Sequence, residues 1–255
     1  MKTMKEFLIA FCFLFVFFSC KKEDTSAITN KTNTTTPDEL AIFKKVYGVT
    51  AEIYKDGDYV VIKTNSLPDH KSPYYKGTQW ESTLYAAYNG TNVNWNQNPN
   101  KIASANLTFR IPISPKEATS KAATPMGPIG VSLNGVPFFN QYAAGGSPLT
   151  NEVNSFDQYY GHPQMQGMYH YHVEPLYLTD TKGKNALIGF LLDGFPVYGP
   201  MENGKTITNT DLDLYHGHSH ATSEYPNGIY HYHISAEAPY LNGDGFFGVP
   251  GTVTQ

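Results

Sequence analysis

The sequence predicts an all-β domain, either a sandwich or a barrel-like sheet, with an internal pseudo-twofold repeat and little helix. The chain has 22 Gly and 17 Pro among 255 residues, and these residues separate short segments of alternating apolar and polar side chains, as in half-buried strands. Few segments place apolar residues at helical spacing over three turns. The third observation is a block of sequence that occurs twice in the C-terminal half.

The N-terminal 19 residues are typical of a signal peptide. Two lysines precede an apolar run from Phe7 to Phe18, which is too short to cross a bilayer as a helix. The run ends at Ser19-Cys20, and a small residue directly before a cysteine at this point resembles the lipobox of bacterial lipoproteins. We therefore expect lipidation at Cys20, with ordinary secretion as the alternative.

The segment after Cys20 is predicted to be a tether. Lys21 to Asp24 resembles the signal that directs bacterial lipoproteins to the outer face of the outer membrane. Residues 20–40 are polar and suit a flexible linker, and residues 41–255 are then a single β-rich domain. Within this domain, Glu39 to Tyr47 is a candidate for a short starting helix, while Tyr59 to Thr64 and Ala105 to Ile111 are strand candidates.

Charge and cysteine content restrict the class of partner. Residues 20–124 carry 13 Lys plus Arg against 10 Asp plus Glu, a net +3, whereas residues 125–255 carry 3 against 11, a net −8. Eight of the nine histidines lie in this acidic half. With a single arginine and no basic cluster, nucleic acid is excluded as a partner, and a cation is favoured. Both cysteines lie at or before Cys20, so the domain has neither a disulfide nor a thiolate ligand.

The duplicated block defines two repeats, at about residues 125–185 and 186–250. Each repeat contains a predicted hairpin, a Gly-His pair and a Tyr-His-Tyr-His strand. The matching segments are Ile129–Phe139 with Ile188–Tyr198, Gly161-His162 with Gly217-His218, and Gly167–His172 with Gly228–His233. Three matches in one order predict a pseudo-twofold domain whose equivalent strands approach each other.

The hairpins carry two further expectations. Asn134-Gly135 and Asp193-Gly194 lie between apolar runs, which is the pattern of a type I′ turn with positive φ at both central residues. Pro137 and Pro196 follow these turns, and since proline cannot donate to a strand ladder, we expect them at a sheet edge or facing outward.

The histidines predict a transition-metal site. Side chains alternate along a strand, so His-x-His places two imidazoles on one face, and the Gly-His pair supplies a third ligand. The hypothesis is one three-histidine set for each repeat, and the alternative is one pocket shared by all six if the repeats face each other. The predicted ligands are His162, His170, His172, His218, His231 and His233.

Imidazole ligands without thiolate suit Zn or Cu, with Ni and Fe as further possibilities. Three histidines without a fourth protein ligand would leave a coordination position open. Asp193 is a candidate partner for an imidazole proton, with a simple turn role as the alternative. His216 and His220 are either auxiliary ligands or loop histidines, and His70 has no assigned role. Histidines that only form hydrogen bonds inside a core are the non-metal interpretation of the whole pattern.

The segments Gly167–His172, Leu192–Pro200 and Ile229–His233 resemble the motifs of the YHYH domain family of exported proteins, over roughly residues 125–251. The resemblance implies the domain but no mechanism. Similar proteins tend to carry a cysteine before the second Gly-His pair, where this chain has Tyr215-His216. Three classes of function remain open: a surface carrier or sensor of Cu or Zn, a metal-dependent enzyme, and a glycan- or protein-binding module.

Overall fold

The computed structural model describes residues 38–255, so the predicted signal peptide, Cys20 and most of the tether lie outside the described residues. The described part of the chain is mostly β-structure. Its strands are β1 (Tyr54–Asp56), β2 (Tyr59–Thr64), β3 (Leu107–Pro112), β4 (Pro128–Ser132), β5 (Pro137–Phe139), β6 (Tyr142–Ala143), β7 (Ser147–Pro148), β8 (Gly161–Pro163), β9 (Tyr169–Tyr171), β10 (Leu187–Leu191), β11 (Pro196–Tyr198), β12 (Met201–Glu202), β13 (Lys205–Thr206), β14 (Gly217–His220), β15 (Ile229–His233) and β16 (Thr252–Thr254).

Helix is sparse, as predicted. Residues 38–255 contain two short α-helices, α1 (Glu81–Leu84) and α2 (Leu176–Lys182), and 3₁₀ turns at Phe43–Lys45, Pro73–Tyr75, Ala144–Gly146, Glu152–Ser155 and Asn209–Asp211. The expected starting helix is wrong in extent, because only Phe43–Lys45 is helical there. No helix within residues 38–255 has the length and apolar character to span a membrane.

The repeats build one eight-stranded sheet, in the order β14-β15-β11-β10-β4-β5-β9-β8. The two halves of this order are equivalent strand for strand, and they meet where β4 pairs antiparallel with β10, with Ser132 opposite Gly189. This arrangement confirms the pseudo-twofold repeat. The His-x-His strands β9 and β15 occupy equivalent places, each paired in parallel with a hairpin strand and antiparallel with a Gly-His strand.

A second sheet, in the order β1-β2-β3-β16, completes the domain. Alternate residues of β3 are buried, and one apolar cluster contains residues of both sheets, including Val60, Phe109, Phe138 and Phe190. Neither sheet closes on itself, so the architecture is sandwich-like and the barrel alternative is set aside.

The hairpin turns differ from the prediction. Gly135 and Gly194 have φ of 79° and 87°, but Asn134 and Asp193 are not among the residues with positive φ. In each turn, the glycine N–H bonds to the carbonyl three residues earlier. Each loop is therefore a three-residue type I turn followed by a left-handed glycine, rather than type I′.

The two prolines also lie elsewhere than predicted. Pro137 and Pro196 are buried at the first positions of β5 and β11, which are inner strands of the sheet. Inner strands tolerate them because the parallel ladders begin one residue later, at Phe138 and Val197, so no ladder donor is missing on that side.

Candidate metal centre

The first repeat brings its three predicted histidines together with Glu152. His162 lies on β8, opposite His170 on β9, and His172 directly follows β9. Nε2 of His170 is 3.0 Å from Nε2 of His162 and 2.9 Å from Nε2 of His172. Oε1 of Glu152 is 3.2 Å from Nε2 of His162 and 4.0 Å from Nε2 of His172. One possible ligand atom from each residue lies within 4.8 Å of all the others.

The opposite ring nitrogens of these histidines are anchored to the protein. Nδ1 of His170 lies 3.1 Å from the carbonyl of Met168, and Nδ1 of His172 lies 2.6 Å from the carbonyl of Asn140. Since a carbonyl only accepts, both Nδ1 atoms carry the proton. Nδ1 of His162 lies 2.8 Å from the hydroxyl of Ser155 and 3.4 Å from the amide nitrogen of Asn98. The Nε2 atoms of His170 and His172 therefore present lone pairs to each other, with Nε2 of His162 beside them.

The second repeat builds the same arrangement around Glu202. His218 on β14 lies opposite His231 on β15, and their Nε2 atoms are 3.1 Å apart. The carboxylate of Glu202 reaches Nε2 of His218 and of His231 at 3.5 Å, and Nε2 of His233 at 3.9 Å. These four residues also offer ligand atoms within 4.8 Å of one another. The two sets share no residue, so the six histidines form two clusters and not one common pocket.

Backbone carbonyls again fix the tautomers. The Nδ1 atoms of His218, His231 and His233 lie 3.3, 3.0 and 2.8 Å from the carbonyl oxygens of Asp211, Ile229 and Gly199, respectively. Each Nδ1 must donate, which leaves three Nε2 lone pairs facing inward. Nε2 of His233 is buried and has no hydrogen-bond partner.

Burial favours the neutral form of most cluster histidines, and their contacts favour the ionised form of the two glutamates. Burial, with a further contribution from His162, lowers the pKa of His172 to about 4, and burial likewise lowers the pKa of His233 to about 4. Burial alone would raise the pKa of Glu152, but its contacts with His162 and His172 lower that pKa below its usual value. The pKa of Glu202 is lowered in the same way, mainly by His220. Near neutral pH, His170 and His172 of the first cluster and all three histidines of the second are thus held neutral, beside a carboxylate whose pKa is lowered.

The tyrosines of the tetrads lie on the opposite face and fix the strands. The hydroxyl of Tyr169 bonds to Asp157 at 2.9 Å, and that of Tyr230 bonds to Asp213 at 2.9 Å. Both carboxylates also accept backbone N–H groups of the following Gly-His turn. One carboxylate in each repeat thereby ties the tetrad strand to the turn that carries His162 or His218.

Asp193 and His216 belong to neither cluster. Asp193 contacts no histidine; its carboxylate accepts from the hydroxyl of Tyr232 and from the N–H groups of Phe195 and Gly248, so the turn role is the one observed. His216 lies outside both clusters, and its Nε2 bonds to Asn209 and Ser235.

His220 and His70 complete the set of histidines. His220 is exposed, and its Nδ1 lies 2.9 Å from Oε2 of Glu202. His70, which had no predicted role, is buried, and its Nε2 lies 3.1 Å from the hydroxyl of Tyr171.

Sequence reasoning missed four acids. Asp157 and Asp213 were detectable, because the pattern Asp-x-Tyr-x-Gly-His occurs in both repeats. Glu152 and Glu202 carry no such signal, since they precede their Gly-His histidines by different distances along the chain. Their presence also corrects the expected open position, because a carboxylate stands beside each three-histidine set.

The geometry of each cluster fits a four-coordinate ion. Metal–nitrogen bonds of about 2.0 Å separate neighbouring ligands by about 2.8 Å in a square plane and about 3.3 Å in a tetrahedron. The shortest Nε2–Nε2 distances are 2.9–3.1 Å. At this spacing the lone pairs of neighbouring imidazoles face one another and repel. A bound cation stabilises such an arrangement, whereas the side chains alone do not.

A family of known proteins matches the sequence of this chain. No curated protein and no solved structure gives a significant match. The family model described as "YHYH protein" matches residues 108–208 and 201–244, which together are more than half of the chain and include both histidine clusters. The chain belongs to the YHYH protein family.

Proposed function

We propose that this chain is an exported lipoprotein whose YHYH domain binds two transition-metal ions, one at each histidine cluster. The first ion is held by His162, His170, His172 and Glu152. The second is held by His218, His231, His233 and Glu202.

The observation that carries the proposal is the orientation of the imidazoles. Five of the six Nδ1 atoms donate to backbone carbonyls. Their Nε2 atoms are therefore acceptors, and two such acceptors lie 2.9 Å apart in the pair His170–His172 and 3.1 Å apart in the pair His218–His231. Histidines with only a structural role would alternate donors and acceptors. Anchoring of the non-ligating nitrogen by a carbonyl or hydroxyl is the arrangement that orients metal-binding histidines.

The donor set restricts the metal. Three imidazoles and one carboxylate, with no thiolate, suit Zn²⁺ and Cu²⁺, whereas Mg²⁺ and Ca²⁺ prefer oxygen ligands. The negative charge of the carboxylate compensates part of the charge of a divalent ion. We propose Cu or Zn as the natural ion.

Holding the ion is favoured over catalysis. Catalytic zinc keeps a position for water, while structural and storage sites are closed by protein ligands. Here, Glu152 and Glu202 stand beside the three imidazoles of each cluster. A carrier or sensor role follows. A metal-dependent enzyme is the second candidate, and it requires one carboxylate to leave the ion during turnover.

Metal content is the direct test. Untagged protein, loaded with Zn or Cu and freed of excess ion, is expected to hold two ions per chain by elemental analysis. The double variants His170→Ala/His172→Ala and His231→Ala/His233→Ala should each retain one. Two ions in both double variants, or none in folded wild-type protein, would contradict the proposal. A Tyr142→Phe variant, which alters a tyrosine outside both clusters, is the matched control.

We further propose that Cys20 carries a lipid that anchors the domain to the outer membrane, at the cell surface. The segment 21–38 is polar apart from Ala27, Ile28 and Pro37, which is too little apolar surface to bind a bilayer. A correctly cleaved Cys20→Ser variant should move from the membrane fraction to the soluble fraction. Unchanged fractionation would mean that something other than a lipid holds the protein.

A further inference from the structure

The two clusters differ at one equivalent position on the Gly-His strand. In the second repeat, His220 follows His218 by two residues, and in the first repeat, Gln164 follows His162 by two. The carboxamide oxygen of Gln164 accepts the N–H of Gln166 at 2.9 Å and is thus engaged in its own turn. His220 instead directs Nδ1 to Oε2 of Glu202 at 2.9 Å. The second cluster therefore has a fifth metal-binding group for which the first has no equivalent.

This fifth group lies at the surface. The side chain of His220 is 52% exposed, and Glu202 is 17% exposed. His218 is 15% exposed, whereas its counterpart His162 is only 3% exposed. Exposure falls from His220 through Glu202 and His218 to the fully buried His231. In the first repeat Glu152 is 25% exposed but all three histidines are buried, so an exposed imidazole stands beside the cluster only in the second repeat.

One carboxylate connects the two ends of this series. Oε2 of Glu202 faces His220 and His218, while Oε1 lies 3.5 Å from Nε2 of His231 and 3.9 Å from Nε2 of His233. An ion bound between His220 and Oε2 is therefore already held by a ligand of the buried position. The ion would reach the buried position by exchanging the imidazole of His220 for that of His231, while Glu202 continues to bind it.

A cavity also opens at this cluster. It has a volume of about 170 Å³ and is lined by residues that include Tyr198, Met201, Glu202 and His233. Nε2 of His233 is the buried nitrogen that has no hydrogen-bond partner. Water or a small chelating molecule has room to approach the ion here.

We infer that the second cluster is a metal-exchange site, with His220 as the entry and exit ligand, while the first cluster retains its ion. The exchange partner is a weakly chelated divalent transition metal, delivered by a small molecule or by an exposed ligand of another protein. This inference rests on the proposed metal binding and adds a direction of transfer to it.

Chelator competition tests the inference. Two-ion wild-type protein mixed with a chromophoric chelator should release one ion quickly and one slowly. The fast phase should be absent from His231→Asn, which assigns it to the second cluster. His220→Gln, which copies the residue of the first repeat, should slow this phase about tenfold and leave the slow phase unchanged. Because His220 is exposed, the substitution does not threaten the fold.

The reciprocal variant Gln164→His should accelerate the slow phase. Release of both wild-type ions at one rate, or a fast phase that His220→Gln leaves unchanged, would overturn the exchange role while the two bound ions still supported metal binding. Wild-type protein that holds no ion would remove both proposals.

Discussion

The hydroxyl of Tyr232 lies 2.6 Å from Oδ2 of Asp193, which links the middle of the second His-x-His strand to the turn of its hairpin. In the first repeat, the hydroxyl of Tyr171 accepts from the amide of Asn134 at 3.2 Å. The turn residue that precedes glycine therefore has a packing role in both repeats. It orients the tyrosine between two ligand histidines and so fixes the backbone that carries them.

From this contact, we expect Asp193→Ala to cost about 2–3 kcal/mol of unfolding free energy, because three buried donors, the Tyr232 hydroxyl and the N–H groups of Phe195 and Gly248, lose their acceptor. Asp193→Asn should cost less, since it keeps one acceptor and removes a buried charge. Metal affinity should fall only at the second cluster. Urea unfolding and metal titration of both variants measure this, and equal losses for Ala and Asn would contradict it.

Gly194→Val should destabilise the domain strongly, because valine is strained at φ 87° and its Cβ would lie 2.5 Å from the carbonyl oxygen of Pro112. We expect a loss of about 3 kcal/mol or more. Gly204→Val is the matched control, since φ is 78° there but no atom lies within 4 Å of an added Cβ. It should cost about 1–2 kcal/mol. Similar losses of stability for both variants would show that the contact with Pro112 is unimportant.

The two tyrosine-binding carboxylates should respond differently to removal. Asp157 is fully buried, whereas Asp213 is exposed. Water can replace the lost acceptor only at Asp213, so Asp157→Ala should cost about 3 kcal/mol and Asp213→Ala about 1 kcal/mol. Both variants should weaken metal binding at the cluster of their own repeat. Thermal unfolding with and without metal tests this order, and a larger loss for Asp213→Ala would refute it.

Acid should destabilise the metal-free domain. The pKa values of His172 and His233 are about 4 in the folded protein, below about 6.5 in the unfolded chain. Between these values the unfolded chain binds protons that the folded chain does not, so stability falls as pH falls from 6.5 to 4. Each histidine contributes about 1.4 kcal/mol per pH unit. Burial raises the pKa of Asp193 to about 6, and this residue acts in the opposite direction over pH 6 to 4.

Urea unfolding in chelator at several pH values tests the prediction. The variant His172→Asn should reduce the slope of stability against pH by about one proton in this interval. An unchanged slope would indicate that His172 is already protonated in the folded protein or remains accessible to water.

The repeats should not fold separately. β4 and β10 join them through Ser132 and Gly189, so residues 125–185 alone would expose the edge of β4 and an uncovered apolar face. We expect this fragment to remain unfolded by circular dichroism. The whole domain should unfold in one transition, and a hundredfold excess of metal over Kd should add about 2.7 kcal/mol. Two transitions, of which only one moves with metal, would disprove a shared core.

Much of the site was predictable from sequence because strand geometry is local. Alternation along β9 and β15 places the tetrad histidines on one face, and the repeated order of motifs identifies His162 and His218 as their neighbours. Alternation says nothing about tautomers, however. The proton on Nδ1 of His172 or His233 depends on the carbonyl of Asn140 or Gly199, which belongs to an adjacent strand end.

The sequence by itself determined the β-class, the twofold repeat and which six histidines are the candidate ligands. The alternation of side chains along a strand and the order of the motifs are both local properties of the sequence. Only the tertiary structure decided that these histidines form two clusters, and that Glu152 and Glu202 complete them. Glu152 arrives from a 3₁₀ turn and Glu202 from a short strand, through connections of different length. The path of each of these loops depends on how the strands that it connects pair and pack. No local sequence pattern specifies this pairing and packing.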